Sequence, residues 1–153
     1  MTSNKECWVS KDPAVLARAQ ERYTALEQSL HPLVATVSDL EGDWNPRLPK
    51  YWNATLRDLT AVRTATQGVF QMFDWDQSSH AAPIPHVLTS FGHKIRLLIA
   101  QSKIEEAGIL LTSYIQVCGS HEEHHLHQRQ RVLKALQEVI KVTRDAIQEG
   151  RAL

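Results

Sequence analysis

Four of the chain's eight histidines fall within seven residues, in the stretch Gly119-Ser120-His121-Glu122-Glu123-His124-His125-Leu126-His127-Gln128-Arg129. Imidazole nitrogens bind divalent metals, and residues four apart, such as His121 and His125, share one face of a helix. With Glu122 between them the string reads formally as H-E-x-x-H, in which two histidines hold zinc and the glutamate acts as general base. Geometry speaks against that chemistry. The later glutamates that could complete a ligand set, Glu138 and Glu149, follow on the same expected helix. They stand roughly 20 and 36 Å along its axis from His125, at about 1.5 Å per residue. The strands that usually frame such a site are missing from the pattern, and a charged Glu123 inside the motif is foreign to it. Glu122-x-x-His125 has the form of one half of a carboxylate-bridged two-metal centre, but those centres take one such pair from each of two helices and this chain has one.

The same residues also make sense as a helix start. Gly119 followed by Ser120 is stop-and-start grammar, and Ser120 with Glu123 forms a capping box in which each side chain satisfies a backbone N–H of the other. Extending the stripe of Leu126, Arg129, Leu133 and Leu136 one turn back places Glu122 inward with His125 beside it, while His124 and His127 point outward. Glu122, His125 and Arg129 then make a polar layer at the mouth of a helix bundle. Glu122 and Glu123 suit the positive end of the helix dipole. A wet helix end and a metal site using His121 and His125 are the two readings of this stretch.

The elements that would position it are helical. Asp12-Pro13 pairs an N-cap residue with proline at the first helical position, so a helix is expected from there. Leu16, Ala19, Tyr23, Leu26, Leu30, Leu33, Val37 and Leu40 follow with spacings of three and four, Pro32 should kink or unwind the helix, and Gly42 should end it. A second helix is expected from Pro49 or Tyr51 through Trp52, Leu56, Leu59, Val62, Val69, Phe70 and Phe73. After a loop from Asp74 to Pro85, the residues Val87, Leu88, Phe91, Ile95, Leu98 and Ile99 restart a helical period. The capping-box form of Ser102-Lys103-Ile104-Glu105 allows a break near residue 102. The last helix is expected to run from Ser120 through Ile140 and Ile147 to about Glu149, before Gly150. No alternating apolar run argues for a strand. The fold class is therefore all-α, an antiparallel bundle of four long helices, with residues 1–11 as a tail and 12–153 as a single domain.

Composition narrows the function classes. Seventeen basic and seventeen acidic residues cancel, which argues against a nucleic-acid binder that must neutralise phosphates. Cys7 and Cys118 offer neither a disulfide framework nor a C-x-x-C motif, the first residues lack an apolar leader, and no segment approaches the roughly 20 apolar residues of a membrane span. A cytoplasmic protein is expected. There is no Gly-rich phosphate loop and no nucleophile elbow.

From about Phe91 onward, His121-x-x-x-His125 followed by Leu126 and Gln128, and preceded by Gly108-Ile109-Leu110-Leu111-Thr112, resembles the C-terminal half of the DinB/YfiT-like helical-bundle family. The resemblance implies a similar bundle and a divalent metal, zinc, nickel or iron, held by three histidines, with thiol-dependent transferases among the members. The family's remaining histidine comes from its second helix. Here no histidine lies between His31 and His80, so helix two offers Asp58, and His86 or His93 would have to reach in from elsewhere. The resemblance thus implies the fold more strongly than the metal. The unbroken three-four spacing and the lack of a full catalytic set favour a non-enzymatic protein without a cofactor, acting on a protein partner or as a homo-oligomer. Trp8, Trp44 and Trp75 fall outside the expected helices, where tryptophan either caps a core or anchors a partner.

Overall fold

The computed structural model describes residues 7–8, 13–42, 49–72, 89–117 and 126–152. They form α1 (Pro13–Gly42), α2 (Pro49–Phe70), α3 (Phe91–Val117) and α4 (Leu126–Ala152), with a minimal ladder of β1 (Cys7–Trp8) on β2 (Thr89–Ser90). Each helix packs on the next, and α4 closes against α1. Pairs of contacts give the directions: Thr36 meets Asp58 while Gly68 lies against Arg22, Arg63 meets Glu105 while Trp52 meets Tyr114, and Arg151 meets Glu27 while Gln137 meets Glu41, so rising numbers on one helix face falling numbers on its neighbour. The protein is an all-α, up-down-up-down four-helix bundle. No helix among the described residues is long and apolar enough to cross a membrane.

The α1 stripe behaves as its spacing predicts. Ala19, Tyr23, Leu26, Leu30, Leu33, Val37 and Leu40 are all buried, and Leu16 packs at their edge. Pro32 does not unwind the helix: it sits on the exposed side, where its missing N–H and its ring disturb only the solvent face. Trp52, Leu59, Val62 and Val69 supply the α2 face, and Trp52 meets Tyr114 of α3 edge-on with ring centroids 4.9 Å apart. This helix ends at Phe70, and the chain tightens into a turn through Met72 N–H donating to the Val69 carbonyl at 3.0 Å.

Three expectations are corrected. The third helix runs through residue 102 without a break. Its buried residues His93, Leu97, Ala100, Ile104, Ala107, Leu111 and Tyr114 keep one three-four phase across that point, so interrupting the helix there would split a single packed face. That face is also not the expected one: Ile95, Leu98 and Ile99 point to solvent. Apolar residues occur all round α3, and the inward stripe includes a histidine and two alanines, so spacing alone picked the more apolar side. Finally, α4 passes Gly150 and ends at Ala152, and no glycine among the described residues adopts a positive φ, so Gly150 is not a helix cap. The expected helix start at Ser120 lies outside the described residues.

Candidate functional site

His121, His125, Trp44 and Trp75 lie outside the described residues, and of Trp8 the structure describes the backbone, which pairs with Thr89. The flanking elements do bear on the ligand question. His93 is 24 residues from Val117, the last described residue before the histidine segment, a separation of roughly 36 Å along α3. It therefore belongs to the opposite end of the bundle from the chain ends that hold that segment. Asp58 is engaged by Thr36, whose hydroxyl oxygen lies 2.8 Å from Oδ2 and 2.9 Å from the Pro32 carbonyl. Arg129 is buried, in the phase the α4 stripe predicts. Among the described residues no group of three or more histidine, cysteine, aspartate or glutamate side chains is placed to hold a metal.

One titratable pair is brought together that spacing did not reveal. Tyr23 of α1 and His93 of α3 meet in the core with the phenolic oxygen 2.5 Å from Nε2 and the rings tilted at 56°. Burial pushes the imidazole down to about 4 and holds the phenol well above its usual range, so the pair is neutral and one proton bridges it. Gly150 of α4 makes room for it. A Cβ built at that position would lie 2.6 Å from the Tyr23 hydroxyl and inside the contact distance of the ring. Because both side chains are sealed from solvent, the arrangement ties three helices together and offers no surface to a substrate. The sequence signal for it is faint: Tyr23 is one position of the apolar α1 stripe, and His93 lies off the more apolar series of Phe91, Ile95, Leu98 and Ile99.

The accessible chemistry is on the outside of α3. Ile95, Leu98 and Ile99 are 40%, 50% and 43% exposed, and further along Ile109 and Val117 are each 70% exposed. At helical spacing all five fall within an arc of roughly 100°. Exposed Ser102, Glu106 and Ser113 lie in the same arc. Beside the C-terminal half of this stripe runs a groove of about 590 Å³ between α2 and α3, floored by Leu56, Leu59, Ile104 and Gly108, with Ile109 on its wall. Arg63 and Glu105, 2.7 Å apart, close across it. Exposed apolar side chains interleaved with polar ones are what a protein contact can use, because water leaves the apolar part while the polar groups keep partners. No protein-family model, no curated protein and no solved structure matches the chain.

Proposed function

We propose that this chain is a non-enzymatic helical-bundle protein that acts by binding protein, and that the outer stripe of α3 is its contact surface. One observation carries the reading: Ile95 and, one turn on, Leu98 and Ile99 share one face of a well-packed helix, all substantially exposed. Their inward counterparts already fill the core, so the bundle does not need these residues for its own packing. Lys94, Arg96 and Lys103 border them and provide a charged rim.

The test is amine-directed cross-linking in a lysate of the source cells, read by mass spectrometry at Lys94 and Lys103. Cross-links from these lysines to protein are expected with the unmodified chain and should disappear with Leu98→Glu, a substitution on the solvent side that leaves the helical circular-dichroism spectrum unchanged. Cross-links that persist in Leu98→Glu, or none at all, would sink the proposal. Elemental analysis of tag-free protein supplies the rival outcome. Stoichiometric zinc, nickel or iron that is lost in His125→Ala would replace the binding reading with the metal-dependent, DinB-like one.

A further inference from the structure

We draw no further inference here: the strongest candidate, the open groove between α2 and α3 floored by Leu56, Leu59, Ile104 and Gly108, carries nothing, because its two charges, Arg63 and Glu105, are paired with each other and nothing in the structure shows what covers it.

Discussion

His93 and Gly150 show how much rests on single side chains that no motif marks. The imidazole is fully buried against Tyr23, and burial lowers its pKa to about 4 from an ordinary 6.5. A group whose folded pKa is depressed binds protons more readily when unfolded, so its stabilising contribution is complete above pH 6.5 and is lost as pH falls towards 4. At pH 4.5 this amounts to a loss on the order of 2–3 kcal/mol. Urea unfolding at pH 7 and pH 4.5 should show that loss in the unmodified chain and a much smaller one in His93→Gln, whose side chain does not titrate. Equal pH dependence in the two proteins would show that His93 is not the group responsible. At Gly150, helix propensity alone predicts that alanine stabilises by about 1 kcal/mol. The added carbon would instead meet the Tyr23 ring at well under contact distance, and overpacking of this kind costs about 1–3 kcal/mol. Gly150→Ala is therefore expected to lower stability in chemical denaturation, and an increase would show that Tyr23 moves aside freely.

The helices differ in how openly they can be read. On α1 the apolar positions form one stripe, so spacing identifies the buried face, and Pro13 and Gly42 mark the first and last helical residues. On α3 apolar residues occupy two faces, and the one inside is a regular series diluted by His93, Ala100 and Ala107. A pattern of residue types records which positions are apolar but not which of two apolar faces has neighbours. Gly108 belongs to this scale. It lies within α3, and a Cβ there would come no closer than 3.9 Å to Leu59, an ordinary contact. Gly108→Ala should thus raise the stability of the isolated chain by about 0.5–1 kcal/mol, the reverse of the effect at Gly150. The same substitution at two helical glycines separates close packing from mere propensity, and urea melts of both variants read it directly.

At the level of the whole molecule, the ties between helices are mostly exposed ion pairs such as Arg151 with Glu27, which add well under 1 kcal/mol each. Stability comes from the shared core, to which the exposed Ile95, Leu98 and Ile99 of the outer α3 stripe do not belong.

By itself the sequence determined an all-α bundle, its four helices, the buried face of α1 and the inward phase of Arg129 on α4. These follow from local spacing and local caps, which act within one or two turns and need no knowledge of neighbours. Only the tertiary structure decided that Tyr23, His93 and Gly150 meet across three helices, and that Ile95, Leu98 and Ile99 face outward. Both depend on how each helix is rotated against the others, which is fixed by the summed packing of all four helices and written in no single segment.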